Sequence, residues 1–334
     1  KYEEIKNATK AGVDIKTDVT NDSDTEATGV SVKSTVYNKE GDVVSTQTDD
    51  ITVAAGKTET ISQSVDVANP KLWSVDSPNL YWVRTEIIQN GKVVDRTDSR
   101  FGIRYIATNP NSGFYLNGVH TKLNGVCEHS DLGSLGMETY QAAVDRRIRT
   151  LKKYGVNAIR TSHNPVSPEF IEACDRLGML VFEEAFDQWL YSKNSDDYHN
   201  YFNKAADGKT VVFDKAGNDN TNNDTSYIEV KREDLQSNAE RDIKAMVDRD
   251  KNAPCIFAWS TGNEIYDARY KHGENTLDML TGWIKEIDTT RPVAACPPTW
   301  DNYWANNAQQ EKHLAKAEMS GFNYATEQYD GAHS

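Results

Sequence analysis

The feature that most constrains this chain is a change of period near residue 105. Before it, apolar and polar residues alternate; after it, short apolar runs alternate with stretches of helical spacing. A period of two marks a strand with one buried face, and a period near 3.6 marks a helix against a core. The two textures occupy separate blocks, so the reading is two domains, residues 1–105 and 106–334, and a chain of 334 residues suits two.

In the first block, Gly12-Val-Asp-Ile-Lys-Thr-Asp-Val19, Gly29-Val-Ser-Val-Lys-Ser-Thr-Val-Tyr37 and Thr58-Glu-Thr-Ile-Ser-Gln-Ser-Val65 are alternating and rich in β-branched residues. Turn signals at Asn21–Asp24, Lys39–Asp42, Ala55-Gly56 and Asn90-Gly91 separate them. Asn90-Gly91 is a two-residue hairpin signal, because both residues tolerate positive φ. About seven short strands in roughly 100 residues predict an immunoglobulin-like sandwich, without the Cys-Trp-Cys core since no Cys falls here.

The second block predicts strands at His120–Val126, Ala158–Thr161, Leu180–Glu183, Ile256–Ser260, Val293–Cys296 and Ser320–Tyr324. Between them, helices are expected over Thr139–Tyr154, Pro168–Leu177, Glu229–Asp248 and Thr276–Asp288. Tyr140, Ala143, Val144, Ile148, Leu151 and Tyr154 form the apolar stripe of the first of these, and Gly155 stops it. Repeated β-α units imply parallel strands, and no Gly-x-Gly-x-x-Gly turn favours a dinucleotide fold. The expectation is a (β/α)8 TIM barrel truncated after about six strands. The polar stretch Tyr191–Asp224 reads as a long loop at the barrel mouth.

Charge narrows the partners. A formal charge of −14 argues against nucleic acid and against an anionic membrane surface. No apolar run reaches the roughly 20 residues of a membrane span. Cys127, Cys174, Cys255 and Cys296 lie far apart in apolar surroundings, with no metal spacing. They are expected to be buried free thiols, which favours a reducing compartment such as a bacterial cytoplasm over secretion. The charge leaves room for a neutral substrate; homo-oligomerisation stays open.

In a barrel of this kind the chemistry sits at the carboxyl ends of the strands. Four successive strands end there in polar groups: Glu128, His129 and Asp131; His163 and Asn164; Glu183, Glu184 and Asp187; Asn263 and Glu264. Carboxylates and amides hydrogen-bond hydroxyl groups, and Trp189, Trp300 and Tyr324 add aromatic faces that suit sugar C–H surfaces. A polyhydroxylated substrate follows from that combination.

At these residues the chain resembles glycoside hydrolase family 2, the β-galactosidase, β-glucuronidase and β-mannosidase family. The matching stretches are Leu123–His129, Ala158–Pro165, Phe182–Trp189, Trp259–Glu264 and Gly321–Tyr324, in that order. The resemblance implies that Glu264 is the general acid/base and that Asn263 holds the sugar 2-hydroxyl. It implies that His163 and His129 line the sugar subsite and that Tyr324 lies close to the nucleophile. Glu184, Asp187 and Trp189 would be rim residues, with Asp187 the foremost substrate contact. Trp300 is a stacking platform by position alone.

The family's nucleophile is a Glu one strand beyond Gly-Phe-Asn-Tyr, so it is expected outside this chain. Glu327 lies only three residues past Tyr324, too close to begin another β-α unit. Retention needs two carboxyl groups about 5–5.5 Å apart, so the chain alone is expected to be inactive. No cofactor is expected; Mg²⁺ occurs in some relatives, but no carboxylate cluster singles out a site. The favoured substrate is a β-galactoside. The alternatives are a β-glucuronide or β-mannoside, or a non-catalytic carbohydrate-binding scaffold.

Overall fold

The computed structural model describes residues 5, 7–189, 238–269, 271–297, 308–326 and 329–333. They fall into two compact units, divided chiefly between Lys122 and Leu123. The polar stretch 191–224, Trp300 and Glu327 lie outside the described residues.

The first unit is built on strands β1 (Lys10–Thr20), β2 (Ala27–Tyr37), β3 (Val43–Val53), β4 (Thr58–Ala68), β5 (Tyr81–Gln89) and β6 (Lys92–Phe101). β1 and β4 pair antiparallel with Lys10 opposite Ala68 and Thr20 opposite Thr58, and β3-β2-β5-β6 form a second sheet. Val36, Val65, Val67, Tyr81 and Val83 from both sheets meet in the core, with Val13, Ile15, Val44, Phe101 and Ile103 packed on it. Each such valine contributes on the order of 1.5–3 kcal/mol through burial. Asn90 (φ 51°) and Gly91 (φ 75°) make the hairpin the dipeptide predicts.

Six strands rather than about seven are described up to residue 105. The stretch between β4 and β5 contains Pro70 and Pro78, neither able to donate to a ladder, and only a Trp73–Pro78 bridge forms there. A small antiparallel sheet follows: β7 (Ile106–Asn109), β8 (Gly113–Leu116) and β9 (Val119–His120). His120, expected in the first barrel strand, therefore ends a hairpin turned by Asn117 (φ 51°) and Gly118 (φ 77°).

The second unit carries β10 (Gly125–His129), β11 (Ala158–Ser162), β12 (Leu180–Glu184), β13 (Ile256–Ser260), β14 (Val293–Ala295) and β15 (Met319–Ser320). They lie in one parallel sheet in sequence order, the arrangement of a TIM barrel over six strands among the described residues. Helices α1 (Gln141–Lys153), α2 (Pro168–Leu177), α3 (Asn238–Asp250), α4 (Lys271–Lys285), α5 (Ala308–Lys316) and α6 (Tyr329–His333) connect or follow them. All five residues of β13 are buried, as expected of a strand covered on both faces.

The expected stripe of α1 is too wide. Val144 and Ile148 are buried, whereas Tyr140 and Tyr154 are exposed at the helix ends. The stop itself forms: Gly155 takes φ 83°, and Val156 N–H bonds Leu151 O at 3.1 Å. The four thiols are all free, but Cys127 is exposed because it lies on β10, an edge of the described sheet.

Candidate active site

β13 runs out into Thr261-Gly262-Asn263-Glu264, and each residue of that turn is anchored. Thr261 bonds Ala294 O through both its N–H (3.1 Å) and its hydroxyl (2.9 Å). Asn263 N–H donates to Phe186 O, and Ile265 N–H to Cys296 O, each at 3.0 Å. Gly262 is required by space: a Cβ there would lie 2.5 Å from Ile265 Cδ1 and 2.9 Å from Trp189 Nε1. Glu264, pinned between anchors on the β12 and β14 sides, adopts φ 46°. For a residue with a Cβ this left-handed conformation costs about 1–2 kcal/mol, strain of the kind found at functional sites. Glu264 stays partly exposed.

Behind this turn lies a buried ionic network. Glu184, at the end of β12, is fully buried, and its carboxylate accepts bonds from three side chains. Arg160 Nη2 approaches Oε2 at 2.9 Å and Nε at 3.1 Å; Ser260 Oγ donates to Oε2 at 2.8 Å; His163 Nδ1 lies 2.6 Å from Oε1. Arg160 Nη2 also donates to Asn263 Oδ1 at 2.7 Å, and Asn263 Nδ2 donates to Asp187 Oδ1 at 2.9 Å. Burial works against the Arg160 charge, but the adjacent Glu184 carboxylate outweighs it and holds the guanidinium's pKa above its usual value. The same burial and the same carboxylate push the Cys296 thiol up to about 12, so it is inert.

His129 and His163 pack edge to face, their ring centroids 5.4 Å apart. An open cavity of about 450 Å³ starts at His163 and Asp187 and runs along Phe186, Ile243 and Met246. That volume falls in the range of small-molecule sites. Tyr324 projects from the turn after β15, 80% exposed and at φ 56°.

The family model described as "Glycosyl hydrolases family 2, TIM barrel domain" matches residues 108–311, and "Glycosyl hydrolases family 2" matches residues 1–104. The chain belongs to glycosyl hydrolases family 2. Among family-2 relatives, a β-galactosidase of Bacteroides ovatus is 32% identical over 94% of this chain and 36% of its own length. A putative β-glucuronidase of Formosa agariphila is 36% identical over 69% of this chain and 18% of its own length. A family-2 structure from Bacteroides cellulosilyticus superposes with a TM-score of 0.80 at 32% identity, covering 97% of this chain and 37% of that one. The match thus spans between 18% and 37% of the length of these relatives.

Asn263, Asp187, His163 and Glu184 are drawn together by the network, with His129 against His163. Two expectations need correction. Trp189 is fully buried, its indole N–H donates to Thr261 O at 2.8 Å and its ring lies 5.7 Å from buried His313, so it has no face to stack on a sugar. Glu184 is likewise no rim residue, since its oxygens are already occupied by protein donors.

Arg160 and Ser260 were not singled out from sequence. The available signal was an Arg inside the otherwise buried strand Ala158-Ile-Arg-Thr-Ser162, where a charge must be paired. Among the described residues no three His, Cys, Asp or Glu side chains converge as metal ligands.

Proposed function

We propose that a polypeptide containing these residues is a retaining β-galactosidase with Glu264 as its acid/base. The observation that carries the reading is the Asn263-Glu264 pair at the end of the fourth barrel strand, with Asn263 held by Arg160 and Asp187. Glu264 protonates the departing glycosidic oxygen while a second carboxylate attacks the anomeric carbon. It then removes a proton from the water that hydrolyses the glycosyl-enzyme. Asn263 contributes most as charge develops at the anomeric centre, by hydrogen-bonding the 2-hydroxyl.

The nucleophile is assigned to a Glu beyond these residues, in line with the share of relatives' length the chain spans. The 334-residue chain alone is expected not to turn over substrate. The galactoside assignment draws support from the β-galactosidase match over 94% of the chain. A β-glucuronidase is the second reading, favoured by the 36% identity to a relative of that name. The cavity carries Asp187 and Asp242 against one cation, Arg249, and this slight acidic excess favours a neutral sugar over an anionic one.

The test is a panel of aryl β-galactoside, β-glucuronide and β-mannoside offered to the longer polypeptide and to the 334-residue chain. The expected result is galactoside hydrolysis by the longer form only. Preference for the glucuronide would replace the sugar assignment, and turnover by the short chain would sink the assignment of the nucleophile.

A further inference from the structure

Glu184 touches no open space, yet its carboxylate ties together the ends of β11, β12 and β13. A carboxylate that accepts from Arg160 and from Ser260 Oγ has only acceptor capacity left for His163 Nδ1, 2.6 Å away. That ring nitrogen must therefore carry a proton, so that of the two neutral tautomers the contacts admit only the one with Nε2 free to accept. Arg160 offers donors only, so the Asn263 atom 2.7 Å from Nη2 is the amide oxygen. The Asn263 NH₂ group is thereby turned to the side of Asp187.

We propose that Glu184 is a positioning residue that sets two chemical identities in this site. It fixes the His163 tautomer directly and the orientation of the Asn263 amide through Arg160. The inference rests on the glycosidase reading only for its kinetic consequence; the tautomer follows from the contacts alone. A purely structural ion pair would hold the strands together without dictating either identity. Hydrogen-bonding partners commonly decide which imidazole nitrogen carries the proton, and losing such a partner typically costs about 10–100-fold in activity.

The first test uses the 334-residue chain with ¹⁵N-labelled histidine, reading the His163 tautomer from two-bond ¹H–¹⁵N spectra, assigned against His163→Gln. At a pH where the ring is neutral, the wild type should show His163 with Nδ1 protonated, and Glu184→Gln should convert it to a mixture of tautomers. A neutral ring protonated on Nε2 and not on Nδ1 in the wild type overturns the proposal, and that measurement needs no variant to fold. The second test uses the longer polypeptide. Glu184→Gln should lower kcat/KM for an aryl β-galactoside roughly 100-fold, but only about tenfold for its 2-deoxy analogue, because the analogue lacks the hydroxyl that Asn263 serves. Equal losses on both substrates, with a smaller active fraction, would mean that Glu184 is structural only. If the wild-type longer protein hydrolyses no glycoside at all, the glycosidase reading fails while the tautomer result still decides the role of Glu184.

Discussion

The sandwich and the barrel both bury polar side chains, but of different kinds. In the sandwich, Ser34 donates to Gln63 Oε1 at 2.6 Å, and Gln63 donates to Val32 O at 3.0 Å and to Asp49 at 2.9 Å. The buried members of that group are neutral. In the barrel neutral Ser260 and Asn263 are buried too, but they surround ions: fully buried Glu184 with partly buried Arg160, and elsewhere Asp288 with Arg291 and the Trp259 indole. Neutral amides and hydroxyls pin one strand against another at small desolvation cost. Buried ions are costly unless fully paired, so their concentration in the barrel points to chemistry or to a junction that needs rigid geometry. The Glu184 network sits at the candidate site, while the Asp288 network lies away from it and serves stability.

That contrast can be broken by substitution. The largest stability effect is expected for Glu184→Ala, which strands the partly buried Arg160 charge and should lower unfolding free energy by about 3 kcal/mol in urea denaturation. A loss below about 1 kcal/mol would show that water already compensates Arg160.

Next comes pH. Burial tends to raise the Asp288 pKa, but Arg291, the Thr290 hydroxyl and N–H, and the Trp259 indole outweigh it and hold it at about 2, against 3.8 ordinarily. A depressed carboxylate stabilises above its unfolded pKa, so this contribution is complete above about pH 4 and lost as pH falls toward 2. It amounts to about 2 kcal/mol. In Asp288→Asn that acid-dependent part should vanish; an unchanged pH profile would remove Asp288 from the account.

Smaller effects belong to the sandwich. Ser34→Ala leaves Gln63 Oε1 without its donor and should cost about 1–2 kcal/mol, with no pH dependence of its own. Gly91→Ala meets nothing within 4 Å, so only its φ of 75° penalises it, by roughly 1 kcal/mol. A Ser34 effect larger than that of Glu184 would reverse the comparison.

What could be read from sequence follows the same division. Period-two alternation and Asn90-Gly91 located the sandwich strands because those signals are local. The β-α repeat located the parallel strands, β11 to β13 within a residue or so, because a strand buried on both faces is a dense apolar run. His120 was misplaced since an apolar-polar pair looks alike in a hairpin and at a strand start. Helix Ala308–Lys316 escaped notice because Ala-Gln-Gln-Glu-Lys-His-Leu-Ala-Lys shows little apolar stripe. Glu264 and Asn263 were legible from their place after a strand. The occupation of Glu184 and the burial of Trp189 were not, because they depend on partners 21 to 76 residues away, in or just after other strands.

The central claim is that Glu264 delivers and removes the proton. The direct measurement is kcat/KM of Glu264→Gln in the longer polypeptide, across aryl β-galactosides whose phenol leaving groups span several pKa units. Loss should be at least 100-fold for poor leaving groups and slight for activated ones, since only the former need protonation. A loss independent of the leaving group, or wild-type activity throughout, would contradict the assignment.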